Sequence, residues 1–208
     1  MKKYIQTIGK VIRSIPAWIT VLLLGRIFYD KKYLKTSWFS TPFSEGWMWA
    51  YRDIWHRIIY GKNIGIKWPC SPDIECGKNV IFEPEDLPNF INFGNHFQTY
   101  DAKIVLGQGT YIAKNVGIIT SNHDFQNLAE HQKGKDVIIG KHCWIGMNSV
   151  ILPGVILGDH TIVGAGAVVT HSFPDGYCII GGNTARIIKT LDISEQAKIP
   201  VCRDNMKK

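Results

Sequence analysis

The stretch from Ile139 to Val168, IGKHCWIGMNSVILPGVILGDHTIVGAGAV, divides without remainder into five groups of six residues. The first residue of each group is a branched aliphatic: Ile139, Ile145, Ile151, Leu157 and Val163. The fifth is small or compact: Cys143, Ser149, Val155, Thr161 and Ala167. An amphipathic helix would repeat near 3.6 residues and a strand near 2. A period of six therefore predicts short strands joined by tight corners, with one inward aliphatic side chain per group.

The same pattern continues upstream, but in a different phase. Further groups begin at Leu106, Ile112 and Ile118, and weaker ones at Cys76 and Phe93. The 33 residues between Leu106 and Ile139 are not a multiple of six. We therefore predict an insertion, the polar loop 124–136, which leaves the coil just after His123.

Length, charge and cysteine usage narrow the class of protein. The 208 residues suit one domain with an appendage. The net charge of +7 favours anionic partners, including a phosphate-bearing cofactor, but no run of five Lys or Arg marks a nucleic-acid arm, so no nucleic-acid partner is expected. Five cysteines without a C-x-x-C pair argue against a disulfide framework or a zinc ribbon, and indicate the cytoplasm.

Residues 1–65 lack the repeat and are rich in tryptophan. Trp47, Tyr51 and Trp55 recur at helical spacing, which predicts a mostly helical extension whose aromatic side chains pack. The apolar run from Ile15 to Leu24 is too short to span a bilayer, and no signal-peptide cleavage site follows it. Two interpretations remain open. The run is either a helix docked on the main domain or a basic, apolar segment lying on the inner membrane surface.

Residues 137–189, with hexads in register followed by GAGAVVT and GGNTAR, resemble the hexapeptide-repeat acetyltransferases. The galactoside, maltose and streptogramin acetyltransferase branch is the most similar, and the extension resembles those of capsule or O-antigen O-acetyltransferases. The resemblance covers about residues 74–190. It implies an all-β fold, a left-handed parallel β-helix over 66–185 with a short tail at 186–208. It also implies a homotrimer that uses acetyl-CoA and no metal.

The resemblance also implies the site. The family's general base is a histidine at the end of a hexad before a loop, and His123 holds that position. A neutral imidazole can take the proton of a sugar hydroxyl as it attacks the thioester carbonyl. The residues implied for the acceptor are Asp101, Asn92, Asn95, His96 and Asn122. Those implied for CoA are Trp144, Gly146, Met147, Ala165, Gly166, Thr170, His171, Arg186 and Lys189. Thr184, His171 and Met147 depart from the family's usual residues.

The acceptor expected is a sugar hydroxyl of a bacterial surface polysaccharide or its precursor, at the cytoplasmic face of the membrane. N-acetylation of an amino-sugar nucleotide, or acetylation of an antibiotic, is the alternative. A zinc enzyme like the β-helical carbonic anhydrases would need three converging histidines, two of them five residues apart, and the seven histidines contain no such pair. His142 and His160 are 18 residues apart and should stack on one outer face. A non-catalytic scaffold would lack the matched base.

Overall fold

The computed structural model describes the backbone of residues 2–192 and the side chains of residues 14–192. Two helices come first, α1 over Lys2–Phe28 and α2 over Glu45–Tyr60, with short 3-10 turns at Tyr33–Lys35 and Ser37–Phe39 between them. A third 3-10 segment spans Pro84–Phe90. The strands of the described part are β1 (Glu75–Cys76), β2 (Val80–Ile81), β3 (His96–Gln98), β4 (Ile104–Leu106), β5 (Tyr111–Ile112), β6 (Gly117–Ile119), β7 (Val137–Ile139), β8 (Trp144–Ile145), β9 (Val150–Ile151), β10 (Ile156–Leu157), β11 (Ile162–Val163), β12 (Val168–Val169), β13 (Cys178–Gly181) and β14 (Arg186–Thr190).

These strands form the three walls of a parallel β-helix. Sheet 1 has the order β1-β3-β6-β9-β12, sheet 2 the order β2-β4-β7-β10, and sheet 3 the order β5-β8-β11-β13-β14. Each complete coil visits sheets 1, 2 and 3 in turn. The aliphatic side chains that begin the hexads point inward, as the period of six predicts, and Ile112, Ile118, Ile145 and Ile151 are fully buried.

The strand register locates the insertion. Leu106 pairs with Ile139 on sheet 2, and Ile112 pairs with Ile145 on sheet 3. Between Val137 and Val169 residues in register are 18 apart, as Leu157 and Ile139 are. The 33-residue spacing of Leu106 and Ile139 therefore contains 15 extra residues, which leave the coil between β6 and β7. This is where the phase change placed the loop.

The corners between the sheets require left-handed backbone. Residues with positive φ at these corners are Asp101 and Gly154 (sheets 1 to 2), His142 and His160 (sheets 2 to 3), and Asn115, Asn148 and Gly166 (sheets 3 to 1). Glycine, asparagine and aspartate tolerate this region best among the amino acids. In the hexads from Ile139 onward the positive φ falls at the fourth residue of each group, so the three vertical edges of the prism carry His142, Asn148, Gly154, His160 and Gly166.

Helix α1 packs along α2 with one face only. Ala17 and Val21 are buried, and the Tyr29 hydroxyl donates to the Asp53 carboxylate at 2.9 Å. The opposite face exposes five large aliphatic side chains: Ile15, Ile19, Leu22, Leu23 and Ile27. No described helix is both long and apolar enough to cross a bilayer.

Aromatic packing was predicted for three residues of α2, and the structure supports it in part. Trp47 is buried, and its ring meets Phe39 edge-on at 5.0 Å between centroids. Tyr51 is half-buried, and Trp55 is 41% exposed. Trp55 lies eight residues after Trp47, which turns it about 80° around the helix and away from the core.

Aromatic rings fill the N-terminal end of the coil. Trp68 packs on Phe82 and Phe90, at 5.1 and 5.4 Å between centroids, and Phe90 packs on Phe97 at 5.1 Å. Tyr33 stacks on Phe82 at 5.2 Å and so joins the N-terminal segment to the same cluster. The helical extension and the β-helix therefore share one core.

Strand β14 runs antiparallel to β13, in contrast to the parallel pairing within the coil. Arg186 and Lys189 lie on this strand and are exposed. Of the predicted tail, residues 193–208, including Cys202, lie outside the described residues.

Candidate active site

His123 stands at the corner between sheets 1 and 2, where the inserted loop begins. Its ring is exposed, and Nδ1 lies 2.8 Å from the carbonyl oxygen of Leu128. A carbonyl oxygen can only accept, so Nδ1 carries the hydrogen and donates it. In the neutral ring, Nε2 is therefore left with its lone pair. This is the tautomer that a general base requires.

The loop is a hairpin that folds back beside His123. The Asp124 amide donates to the Glu130 carbonyl, and the Gln132 amide donates to the Asn122 carbonyl, both at 2.9 Å. The hydroxyl of the buried Ser121 donates to the Gln132 carbonyl at 2.6 Å. These bonds place the Leu128 carbonyl oxygen beside Nδ1 of His123. The fold of the loop therefore determines the tautomer of His123.

Gln98 holds the segment that leads into His123, a role that sequence reasoning missed. Its side-chain oxygen accepts the amides of Thr120 and Ser121, both at 3.0 Å. Its side-chain nitrogen donates to the Ser121 carbonyl at 3.0 Å. The available signal was positional, because Gln98 ends the strand that pairs with β6, the last strand before His123.

A second imidazole lies against His123, which sequence reasoning also missed. The His131 ring is 4.4 Å from the His123 ring, between centroids, and 4.3 Å from the Tyr100 ring on its other side. His131 comes from the returning arm of the loop and Tyr100 from the wall of the coil. No hexad pattern covers the loop, so spacing gave no signal for His131.

Two of the acceptor residues implied by the resemblance lie beside His123. Asn122 precedes it and is exposed. Asp101 is exposed with φ of 48°, at the same corner one coil earlier. The structure thus groups the imidazole, a carboxylate and an amide along one edge of the prism.

The other three implied acceptor residues lie elsewhere. The Asn92 amide donates to the Ile112 carbonyl at 2.8 Å, and His96 lies on the outer face of sheet 1, 3.0 Å from the Glu75 carboxylate. Asn95 is 1% exposed, and its side-chain oxygen accepts the Val116 amide at 3.0 Å. The Asn95 side chain therefore bonds the backbone inside the coil, and we leave it out of the proposed site.

The residues implied for the thioester end of CoA line sheet 3 and the corner that follows it. Trp144 and Met147 are large and about half-exposed. A side chain at Gly146 would lie 2.6 Å from the Val163 carbonyl and 2.7 Å from the Ala165 amide, so only glycine fits there. A side chain at Gly166 would meet nothing within 4 Å. Successive coils thus leave an open, small-residue surface beside Trp144.

The residues implied for the far end of CoA lie further along the chain. The Thr170 hydroxyl and Nδ1 of His171 are 3.2 Å apart, and both side chains are exposed. Arg186 and Lys189 pair with β13 at Gly181 and Ile179. All of these groups are accessible from solvent.

Within one chain the two halves of the implied site are on different edges. His123 lies at the corner of sheets 1 and 2, whereas Trp144 lies on sheet 3 and Met147 at the corner of sheets 3 and 1. One chain therefore does not bring the imidazole and the implied thioester site together.

The remaining histidines form a surface stack. His142 and His160 lie 5.1 Å apart between centroids, as their 18-residue spacing predicts, and His160 in turn lies 4.9 Å from Tyr177. Burial lowers the pKa of His160 from its ordinary value, and the neighbouring His142 lowers it further. In the described part of the chain, no group of three or more His, Cys, Asp or Glu side chains could hold a metal ion.

Comparison with known proteins agrees with this architecture. Residues 136–171 match the bacterial transferase hexapeptide (six repeats) family. The chain is 32% identical over 121 residues to the galactoside O-acetyltransferase of Lactococcus lactis, covering 51% of this chain and 58% of that one. It is 30% identical over 125 residues to Escherichia coli WbbJ, provisionally named a lipopolysaccharide biosynthesis O-acetyl transferase, covering 54% and 62%. A Vibrio cholerae hexapeptide-repeat acetyltransferase solved with acetyl-CoA is 28% identical, with a TM-score of 0.45, covering 58% and 61%.

The chain thus contains the hexapeptide repeat of bacterial transferases and is similar to hexapeptide-repeat acetyltransferases, as the sequence resemblance predicted. Together with the three-walled coil, the repeat indicates a left-handed β-helix. The match spans about three fifths of the curated relatives' length, 58% and 62% for the two compared here.

Proposed function

We propose that the protein is an acetyltransferase that moves the acetyl group of acetyl-CoA to a sugar hydroxyl, with His123 as general base. The observation that carries the proposal is the hydrogen bond from Nδ1 of the exposed His123 to the Leu128 carbonyl. It leaves Nε2 as an accessible proton acceptor at the edge where Asp101 and Asn122 also lie.

The reaction needs one proton carrier. Nε2 takes the hydroxyl proton while the sugar oxygen attacks the thioester carbonyl, which forms a C–O bond and a tetrahedral intermediate. The intermediate collapses, the C–S bond breaks, and the imidazolium returns the proton to the CoA sulfur. General-base help of this kind contributes about 10²–10⁴-fold to the rate. Trp144 and the small residues beside it are proposed to hold the acyl-pantetheine arm, and Arg186 and Lys189 the phosphates.

The test is release of CoA from acetyl-CoA with candidate sugars, in wild type and His123→Ala. We expect an acceptor-dependent rate at least about 100-fold lower in the variant. His56→Ala is the matched control, because Nδ1 of His56 also donates to a carbonyl, that of Arg52, at 2.8 Å but on α2. Equal rates in wild type and His123→Ala would refute the proposed base.

The proposed assembly is a homotrimer, because the two halves of the site lie on different edges. An apolar row covers the outer face of sheet 2, where Ile81, Ile138 and Ile156 are 54%, 36% and 41% exposed. Trp144 is exposed on sheet 3 as well. If these two faces meet across a three-fold axis, the His123 edge of one protomer falls next to the Met147 edge of its partner.

Subunit complementation tests this arrangement. His123→Ala and Trp144→Ala each remove one half of the site and keep the coil interior intact. Refolding equal amounts of the two variants together should complete about a quarter of all sites, one in each hybrid trimer. Activity that returns on mixing supports a shared site. Activity absent from the mixture, with hybrid trimers demonstrated, contradicts it.

The proposed acceptor is a unit of a bacterial surface polysaccharide or its precursor. The similarity to E. coli WbbJ supports it, as does the similarity to the L. lactis galactoside enzyme for a sugar hydroxyl. N-acetylation of an amino-sugar nucleotide is the second candidate. Mass spectrometry of the surface glycan from a deletion strain distinguishes them, because an acetyl ester disappears in the first case and an acetamide in the second.

We also propose that the protein works in the cytoplasm with peripheral contact to the membrane, through residues 1–35. The five exposed aliphatic side chains of α1 form an apolar stripe, and Arg26, Lys31, Lys32 and Lys35 are exposed nearby. No Asp or Glu precedes Asp30. Such a helix suits an anionic bilayer surface.

Vesicle sedimentation tests this contact. Leu22→Gln with Leu23→Gln should reduce co-sedimentation with anionic vesicles and leave the β-helix folded. Thr20→Gln, on the half-buried side of α1, is the control. Unchanged sedimentation of the double variant would contradict the contact.

We also propose a division of the chain into an extension (1–65), a β-helix (66–185) and a tail (186–208). Helix α2 ends at Tyr60, before β1 begins at Glu75.

A further inference from the structure

We propose that His131 is a positioning residue for His123, so that the inserted loop supplies the orientation of the base as well as its tautomer. The inference rests on the proposed function, because it concerns the same imidazole. Its subject is a side chain that no hexad pattern and no resemblance singled out.

The His131 ring lies between two other aromatic rings. Its plane is at 35° to the plane of the His123 ring and at 23° to the plane of the Tyr100 ring. The backbones of His123 and His131 also form an antiparallel bridge. The His131 ring therefore connects the exposed His123 ring to Tyr100, on the wall of the coil.

Hydrogen bonds hold the backbone of Tyr100 and the returning arm of the loop to the coil. The Tyr100 carbonyl accepts the hydroxyl of the buried Thr120 at 3.2 Å, and Thr120 also accepts the amide of Lys135, at the end of the returning arm, at 2.8 Å. Tyr100 precedes Asp101 at the corner. These bonds hold the Tyr100 backbone, so a displacement of the loop would move His131 relative to that residue, and His123 with it.

An exposed imidazole needs this second constraint. The hydrogen bond to Leu128 holds one ring atom, but the plane of the ring can still turn about that atom. Ring contact at 4.4 Å restricts the plane, and hence the direction of the Nε2 lone pair. A base displaced by about 1 Å from its productive position can lose about 10²-fold in rate.

Two substitutions separate ring packing from polar chemistry. In His131→Ala we expect kcat to fall about 10–100-fold, with KM for acetyl-CoA and for the acceptor changed by less than about threefold. In His131→Phe, which restores a flat ring, we expect kcat to return to within about threefold of wild type. Melting temperature, measured alongside, should not separate the two variants.

The outcomes are distinct. Wild-type kcat in His131→Ala would overturn the proposal, as would an equal loss in His131→Ala and His131→Phe, because the ring would then be idle or its nitrogens essential. A rise in acceptor KM with kcat unchanged would also overturn it and make His131 a binding residue. His123→Ala, assayed in parallel, tests the proposed function separately, since full activity there refutes the base whatever His131 does.

A readout without turnover completes the test. In protein labelled with ¹⁵N at histidine, the His123 ring should show one tautomer, protonated at Nδ1. We expect that signal to broaden or to split in His131→Ala and to persist in His131→Phe. The same narrow signal in all three proteins would show that the ring contact does not order His123, and would overturn the proposal.

Discussion

At the scale of single residues, Gly134 shows how closely the loop returns to the coil. A side chain there would collide with the Tyr100 carbonyl and come within 2.9 Å of Ala102 and of the Asp101 carbonyl carbon. The obstacle is mostly backbone, which cannot turn aside as a long side chain can. The returning arm reaches the wall beside His131 because residue 134 has no Cβ.

We expect Gly134→Ala to push the arm away from the wall and to reduce kcat about 10–100-fold, because His131 and Leu128 move with the arm. The measurement is kcat together with melting temperature. Gly117→Ala is the matched control, since its new methyl group would meet Val150 at 3.7 Å, an ordinary contact. Loss of activity in the control but not in Gly134→Ala would contradict this account.

Sequence reasoning named some residues of the proposed site and missed others for a physical reason. His123 could be named because the resemblance places the base just before a loop, and the change of phase between the two blocks of hexads located that loop. Gln98, His131 and the Leu128 carbonyl could not, because their roles depend on how the loop folds back. The resemblance implied Asn95 for the acceptor, but alignment cannot show that its side-chain oxygen accepts the Val116 amide inside the coil.

At the scale of secondary-structure elements, Arg57 joins α2 to the start of the coil. Its guanidinium pairs with the Asp53 carboxylate at 2.8 Å and donates to the carbonyls of Ile66 and Trp68, at 2.6 and 2.9 Å. Both charged side chains are buried. Burial raises the pKa of Asp53, against the opposing effect of Arg57. The ionised form of Asp53 therefore depends on the neighbouring guanidinium of Arg57.

We expect Arg57→Met to lower the free energy of unfolding by about 3–5 kcal/mol, because it leaves a buried carboxylate without its countercharge and two carbonyls without this donor. Guanidinium titration of the full chain measures this loss. Arg52→Met removes an exposed arginine from the same helix and should change the free energy by less than about 0.5 kcal/mol. Equal effects of the two substitutions would show that Arg57 does not connect the elements.

The helices were harder to predict than the strands. Apolar spacing identified α2, but burial along it follows rotation about the helix axis, which is why Trp47 is inside and Trp55 outside. In α1 the apolar run of Ile15 to Leu24 covers less than half of the helix, which spans Lys2–Phe28. Polar residues flank that run, so hydrophobicity alone could not indicate its ends.

At the scale of the whole molecule, stability comes from the inward column that all three sheets share. Ile151 is fully buried, between Ile118 and Val169 of the adjacent coils. Each coil contacts only its neighbours, so a fault in one coil exposes the next. From Leu106 onward the column was predictable, because a strict period leaves only one register for parallel coils. The weaker group predicted to begin at Phe93 was wrong, since Phe93 is 59% exposed and Phe97 is the buried residue there.

We expect Ile151→Asp to cost about 4 kcal/mol or more, since it removes a buried side chain and introduces an unpaired charge. The melting temperature should fall by at least about 10 °C. Val150→Asp is the control, because the preceding residue of the same strand faces outward and is half-buried. A melting temperature for Ile151→Asp close to wild type would show that the column is not the source of stability.

The 15-residue insertion leaves the winding of the coil unchanged. The strands on either side of it keep their register, and Leu106 pairs with Ile139. The hexads that build the column and the loop that folds back beside His123 are thus separate stretches of sequence. Replacing the loop would change the surroundings of the proposed base, while the winding that supports it keeps its pitch.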